Sequence, residues 1–276
     1  MPHDLEQAVV SHYTARDLVA RIGSVLDRAQ LEGRGLQVSD LAPVDEFHIG
    51  GRAATEYAVA KLSLDASHHV LDIGCGIGGA ARYLASAVGC RVTGIDLTPD
   101  YIAAAQDLSS RTGLGSSTTF IAASALDMPF AAGAFDAAIS FHVAMNIADR
   151  PALYREAARV LKPGAALCIY DVMRGPNDGL DFPLPWAAGP ETSFLTSPAE
   201  MRDLLAEAGF EVAEEDDRTV AGIAFFRRRL AAPADDAPQL GLHLVIGDGR
   251  RKFENVLRGL ENGAISPVVM VARRTG

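Results

Sequence analysis

The sequence predicts an α/β protein: a mostly parallel sheet wound with helices on both faces, preceded by a helical N-terminal segment. Three observations carry this. Between residues 69 and 171, short apolar runs of strand length alternate with helix-length segments, the pattern of βαβ units. A glycine-rich turn follows the first of those runs and leads into a helix-like stretch. Residues 1–62 read as helical, with breaks at Gly33-Arg34-Gly35 and Gly50-Gly51. At 276 residues the chain suits one large domain or one domain with a cap.

His69-Val70-Leu71-Asp72-Ile73 is the first strand and Arg91 to Asp96 the second. Thr119 to Ala122, Phe135 to Phe141 and Ala165 to Asp171 follow as third to fifth. Before the third strand, Thr98-Pro99-Asp100 is a helix start: Thr98 can cap, Pro99 suits the first turn and Asp100 suits the dipole. Glu211 to Glu215 reads as a sixth strand and Ile265 to Arg273 as a seventh, with Ser197-Pro198-Ala199-Glu200 a capping box for the helix before the sixth. The expected division is a helical lid over 1–62 and a core over 63–276, with insertions around 173–196 and 231–249.

The net charge of -10 argues against nucleic acid as a partner, because phosphates would be repelled; it is compatible with a cationic acceptor. Cys75, Cys90 and Cys168 are odd in number and lack metal-ligand spacing, so each reads as a buried apolar residue and no metal site is expected. Met1 to Glu6 shows neither the basic region nor the apolar core of a signal peptide, and no apolar stretch is long enough to cross a bilayer. The expectation is a cytoplasmic protein without stable membrane association.

In Leu71-Asp72-Ile73-Gly74-Cys75-Gly76-Ile77-Gly78-Gly79, Gly74, Gly76 and Gly78 allow a tight turn and close approach of a ligand to the backbone. Such a string alone also serves dinucleotides. Asp72, placed just before the first glycine, discriminates: a carboxylate there repels a pyrophosphate and suits a cationic amino group. S-adenosylmethionine carries an ammonium, a sulfonium and no phosphate, and its carboxylate can sit at the helix N-terminus after Gly78. Asp96, with Leu97 behind it, ends the second strand at the distance where an acidic residue accepts from ribose hydroxyls. The alternatives are a turn-stabilising role for Asp72 and a helix-capping role for Asp96, the latter weakened because Thr98 can already cap.

Leu71 to Gly79, Gly94-Ile95-Asp96, Ser124 to Phe130, Phe135-Asp136 and Arg159-Val160-Leu161-Lys162-Pro163-Gly164 resemble, in order, the motifs of class I S-adenosylmethionine-dependent methyltransferases. The resemblance implies a Rossmann-like, doubly wound, seven-stranded, mostly parallel sheet with an antiparallel last strand. It also implies S-adenosylmethionine as cofactor, with Asp72 and Gly74 holding the methionine moiety, Asp96 the ribose and Ser124-Ala125-Leu126 the adenine. The family often has an acidic residue where this chain has Ser124, so adenine recognition here leans on the Ala125 or Leu126 backbone. Asp127 either meets the adenine amino group or caps its own turn.

Ligands gather at the carboxyl ends of strands in open α/β sheets, which places residues past the fourth and fifth strands near the transferred methyl. His142 is the first candidate for a catalytic or orienting group, since a histidine near neutrality can take a proton; hydrogen bonding to the cofactor is its alternative. Asn146 orients the acceptor or caps its loop, and Asp171 pairs with a cationic acceptor or caps its own. His48 faces the acceptor or caps the Gly50-Gly51 turn, and Trp186, in the Pro-rich stretch from Phe182, offers a cation–π face or anchors the core. Arg227-Arg228-Arg229 and Arg250-Arg251-Lys252 read as solvated helix faces.

His12-Tyr13-Thr14, the stretch Asp45 to Gly51 and Ala54-Thr55 resemble the lid of phosphoethanolamine and sarcosine/dimethylglycine methyltransferases, as does Asp248 to Lys252. That resemblance gives Tyr13 a part in closing the site; the histidine partner expected after the fourth strand is replaced by Asn146, with His142 one helical turn earlier. It implies a small soluble acceptor, nitrogen preferred over carbon or oxygen, methylated by in-line displacement. Lid segments of this kind also pack between subunits, so a homodimer is compatible. Two other functions stay open: a quinone or lipid C-methyltransferase, which predicts an apolar acceptor pocket and a basic docking helix, and a non-catalytic S-adenosylmethionine-binding protein. Asp17 and Asp27 beside Arg16 and Arg21 count against membrane docking of the N-terminal helices.

Overall fold

Alternate residues of the central strands point to opposite faces, and both sets are apolar. Val70, Val92, Ala137, Ile139 and Cys168 pack into one core, while Leu71, Ile73, Ile95, Ala138 and Leu167 pack into the other. A sheet apolar on both faces must be covered on both. The computed structural model describes residues 2–13, 17–28, 35–231, 241–245 and 247–276. Its sheet has seven strands in the order β3-β2-β1-β4-β5-β7-β6. These are β1 (His69–Ile73), β2 (Arg91–Asp96), β3 (Thr118–Ala122), β4 (Phe135–Phe141), β5 (Leu161–Arg174), β6 (Phe210–Asp217) and β7 (Ile265–Arg274). Only β7 runs against its neighbours. The chain order reverses direction between β1 and β4, the switch point at which such sheets bind ligands.

Helices α5 (Gly79–Ala87), α6 (Pro99–Arg111), α7 (Arg150–Val160), α8 (Pro198–Glu207), α9 (Thr219–Ala231) and α10 (Gly249–Glu261) lie among and after the strands. The Ser197–Glu200 capping box is present, with reciprocal bonds of 3.3 Å and 2.7 Å. Thr98 stands at the N-cap of α6 but makes no side-chain cap; Asp96 Oδ1 instead accepts from the Thr98 N–H at 2.9 Å. The fifth strand is longer than its apolar run, because β7 pairs with it as far as Arg174↔Ile265. The acidic residues of β6 lie on the sheet edge, where charge discourages pairing with another chain. All three cysteines are buried and unpaired.

Ahead of the sheet come α1 (Pro2–Tyr13), α2 (Leu18–Arg28), α3 (Val38–Asp45) and α4 (Arg52–Val59). The Gly33-Arg34 break, Thr14 and Arg16 lie outside the described residues, as do 232–240 and 246 within the 231–249 insertion. Gly50 and Gly51 adopt φ of 92° and 56°, which makes the break before α4. In α2, Leu18, Ile22, Val25 and Leu26 form one buried stripe. With Leu41 and Val44 of α3, Leu18, Ile22 and Leu26 of this stripe pack on Tyr101, Ala104 and Leu108 of α6. Arg82 of α5, fully buried, donates to Asp45 Oδ2 at 3.0 Å and so fastens α3 to the sheet layers.

Candidate active site

The ends of β1, β2 and β3 lie side by side and open into a cavity of about 470 Å³. Gly74 and Gly76 line it with φ of 73° and 53°. A Cβ on Gly74 would collide with the Val143 side chain, so only glycine allows this turn. The Gly74 and Cys75 N–H groups donate to Ile95 O at 2.8 and 2.9 Å, and Gly76 N–H donates to Asp96 Oδ2 at 3.0 Å. The turn is therefore tied to the end of β2. Gly78 does not line the cavity. Its φ of 84° starts α5, and a Cβ there would meet Phe120 and Arg82, so packing gives this glycine a reason of its own.

Asp72 is 2% exposed, and its Oδ2 has no hydrogen-bond partner. Burial first, then the negative charges of Asp96 and Glu46, push its pKa up to about 7. A buried carboxylate with a free oxygen suits a cationic ligand group. Asp96 is also raised by burial, opposed by the N–H bonds from Thr98 and Gly76. Leu97, Ser124, Ala125 and Leu126 complete this end of the cavity. Adjacent strands are about 4.8 Å apart. A ligand with an ammonium at Asp72, vicinal hydroxyls at Asp96 and a flat ring past β3 thus lies across three neighbouring strand ends. S-adenosylmethionine has those groups in that order, and the residues fit it.

A pH dependence follows. An ammonium beside Asp72 favours the ionised carboxylate and lowers its pKa, so binding releases a proton. The affinity for S-adenosylhomocysteine is expected to rise about tenfold per pH unit as pH increases toward 7, then level off. Titration calorimetry at pH 5.5 to 8 checks this, and a flat profile would remove Asp72 as the ammonium partner. Without ligand the sign reverses. A folded pKa above the unfolded one means that stability falls as pH rises between about 4 and 7.

The opposite end of the cavity lies under β4. His142 follows the strand with φ 56°, a left-handed conformation uncommon outside glycine and one that clusters at functional sites. Its N–H donates to Tyr170 O at 2.7 Å, while its ring Nε2 is enclosed and has no hydrogen-bond partner. Burial, with the His48 charge second, holds its pKa well below the usual histidine value, so the ring is neutral. His48 both lines the cavity and bonds the Gly50-Gly51 turn, through Nε2 to Gly51 O at 3.2 Å and Thr55 Oγ1 at 3.0 Å.

Tyr13 Oη donates to Asn146 Oδ1 at 2.9 Å, and Asn146 Nδ2 donates to Trp186 O at 2.7 Å. Asn146 thereby links the lid helix to the Pro-rich loop. Trp186 is 2% exposed, lines the cavity and donates from its indole N–H to Ser193 Oγ at 3.0 Å. Asp171 is placed differently from expectation. It is not among the residues that line the cavity: it is 1% exposed, its Oδ1 accepts from the Val172 N–H at 3.1 Å, and its Oδ2 has no hydrogen-bond partner. Burial raises its pKa to about 6.

Several lining residues had no counterpart in the sequence reading. Phe225 and Phe226 of α9, Leu242, Val245, and Phe253 and Val256 of α10 build an apolar lobe beside Ile49 and Met145. The helical spacing of Phe253, Val256 and Leu260 was the available signal, but the sequence does not say what that stripe faces. Glu46 also lines the cavity, held by Arg52 and by Thr55 Oγ1 at 2.7 Å. Among the described residues, no lysine or arginine lines the cavity. Glu6 also lines the cavity and carried no signal in the sequence. Arg227 pairs with Glu261 and Arg250 with Glu254 at the surface, the solvated role expected of both runs.

A family profile described as "Methyltransferase domain" matches residues 71–169. The O-methyltransferase resE of Aspergillus sclerotiorum is 31% identical over 183 residues, covering 64% of this chain and 68% of that protein. Phosphoethanolamine N-methyltransferase 3 of Arabidopsis thaliana is 34% identical, covering 75% of this chain and 42% of that protein. The chain spans about half the length of curated relatives it matches. Among solved structures, a geranyl diphosphate C-methyltransferase from Streptomyces coelicolor A3(2) superposes with a TM-score of 0.72 at 18% identity, covering 100% of both chains.

Proposed function

The chain belongs to the class I S-adenosylmethionine-dependent methyltransferases, and from that premise we propose that it methylates a hydroxyl group on a small, largely apolar acceptor. The observation that carries the proposal is the apolar lobe formed by α9, α10 and the 182–194 loop, next to an unpartnered neutral His142. The absence of a lysine or arginine lining, among the described residues, disfavours phosphorylated acceptors. The preference for nitrogen drawn from the lid resemblance finds little support here, because Glu46, the carboxylate near His48, is already paired with Arg52 and Thr55.

Bound S-adenosylmethionine supplies a sulfonium methyl already activated for displacement. The lobe holds the acceptor body, and Tyr13 with Asn146 closes the cavity over it. His142 Nε2 takes the hydroxyl proton as the oxygen–methyl bond forms and the sulfur–methyl bond breaks, leaving methyl ether and S-adenosylhomocysteine. Alignment and exclusion of water are the main contribution of the protein; alignment contributes roughly 7 to 11 kcal/mol in favourable cases. Residues 1–62 act in this reading as the lid over a core of 63–276, with the insertions around 173–196 and 231–249 walling the acceptor lobe.

A second reading, carbon methylation of a quinone or prenyl acceptor, is favoured by the same apolar lobe and by the exposed Arg250 and Arg251 on α10. Among the described residues, no helix is long and apolar enough to cross a membrane. Labelled methyl transfer to a panel of apolar phenols, prenyl quinols, amines and phosphoethanolamine tests both. Transfer to phenols, with turnover falling at least about a hundredfold in His142→Ala while S-adenosylhomocysteine binding persists, is expected. Transfer to amines alone would overturn the hydroxyl reading, quinols alone would favour the second, and binding without transfer to any class would favour a non-catalytic role.

A further inference from the structure

We infer that Glu6 of the lid helix recognises the 6-amino group of the cofactor's adenine, so that the lid seats when the adenine end of the cavity is filled. The inference rests on the cofactor assignment and is independent of the acceptor.

Glu6, Val9 and Tyr13 line the cavity from α1, and their spacing of three and four residues places them on one helix face. That face is fastened at both ends of the site. Ser124 Oγ donates to Glu6 Oε1 at 2.5 Å, two residues past β3, and Tyr13 Oη donates to Asn146 Oδ1 at 2.9 Å below His142. With the ammonium at Asp72 and the ribose at Asp96, a base lying across the strand ends reaches the Ser124 end.

Ser124 is poorly placed to read that base itself, because its proton goes to Glu6 and its oxygen accepts from the Leu126 N–H at 3.1 Å. Asp127, the other carboxylate nearby in sequence, does not line the cavity. An exocyclic amine is a donor and an ionised carboxylate only accepts. Glu6 Oε2 has no partner among the described residues and is the group of the right chemistry at this end. A 6-oxo purine would instead set oxygen against the carboxylate. Since Tyr13 shares the helix face, seating Glu6 also sets the hydroxyl at Asn146.

Calorimetric binding of S-adenosylhomocysteine and of S-inosylhomocysteine, in which oxygen replaces the 6-amino group, tests this on the full chain and on Glu6→Gln and Glu6→Ala. The wild-type chain is expected to prefer the adenine compound by about tenfold to a hundredfold, the range for a hydrogen bond to a charged acceptor. In both variants the preference is expected to shrink to within about threefold. Backbone hydrogen exchange in residues 2–13 should slow on binding in the wild type and not in Glu6→Ala. An unchanged preference in the variants, no preference in the wild type, or no slowing of exchange would overturn the inference while leaving the cofactor site in place. Failure of the wild type to bind S-adenosylhomocysteine at all would overturn both.

Discussion

Alanine in place of Asp96 is expected to weaken S-adenosylhomocysteine binding by about a hundredfold to ten-thousandfold, which corresponds to losing two hydrogen bonds to a charged acceptor. The effect is large because the carboxylate acts twice. In the proposed cofactor pose it accepts from two vicinal hydroxyls, and it also anchors the glycine turn through the Gly76 N–H and the start of α6 through the Thr98 N–H. Asp96→Asn keeps one acceptor oxygen but brings an amide toward one of those N–H donors, so it should lose less than alanine. Calorimetry gives the affinities, and far-ultraviolet circular dichroism of the ligand-free variants shows whether the fold persists. Wild-type affinity in a folded Asp96→Ala would remove the residue from the site.

The second large effect is on stability. Arg82 and Asp45 have fully buried side chains 3.0 Å apart, and Arg82 also donates to Ala105 O and Ser109 Oγ at 3.3 Å. Arg82→Met keeps the bulk but removes the hydrogen-bonded cation from the buried Asp45, leaving it only the more distant Arg52 guanidinium at 3.8 Å. Breaking such a pair from one side costs about 3 to 5 kcal/mol, which for a domain of this size lowers Tm by roughly 10 °C. Burial already raises the Asp45 pKa against the pull of Arg82. In the variant it rises further above the unfolded value, so the folded state binds an extra proton. The loss is then greatest at high pH and shrinks as pH falls. Thermal unfolding at pH 5.5 and 8 measures this. Asp45→Asn combined with Arg82→Met should recover part of the loss; an Arg82→Met melting temperature equal to wild type at both pH values would show that the pair does not hold the lid.

That the candidate cofactor residues share one cavity was legible because its determinants are local. Short continuous apolar runs set β1 and β2, and the glycines after Asp72 permit a turn that other residues do not. Asp72 and Asp96 stand at strand ends, so that once the strands are parallel neighbours the two carboxylates open into one cavity. Where local reasoning failed, a second local role was available. Gly78 and Asp171 carry the right residue types near the right strands, but neither is among the cavity-lining residues: Gly78 packs against Phe120 and Arg82, and Asp171 is buried with its Oδ1 on the Val172 N–H. Thr98 can cap a helix by type, yet the neighbouring Asp96 carboxylate took its N–H.

What the sequence determined by itself was the sheet, its glycine turn and the acids at two strand ends, because turn chemistry and side-chain alternation act over a few residues. Which face of α1 covers the site, and which stripe of α10 meets the acceptor, were decided by the tertiary structure. The bond from Ser124 to Glu6 spans 118 positions and that from Asn146 to Trp186 spans 40. Such contacts depend on how whole helices dock, and an amphipathic pattern says that a helix buries one face without saying against what.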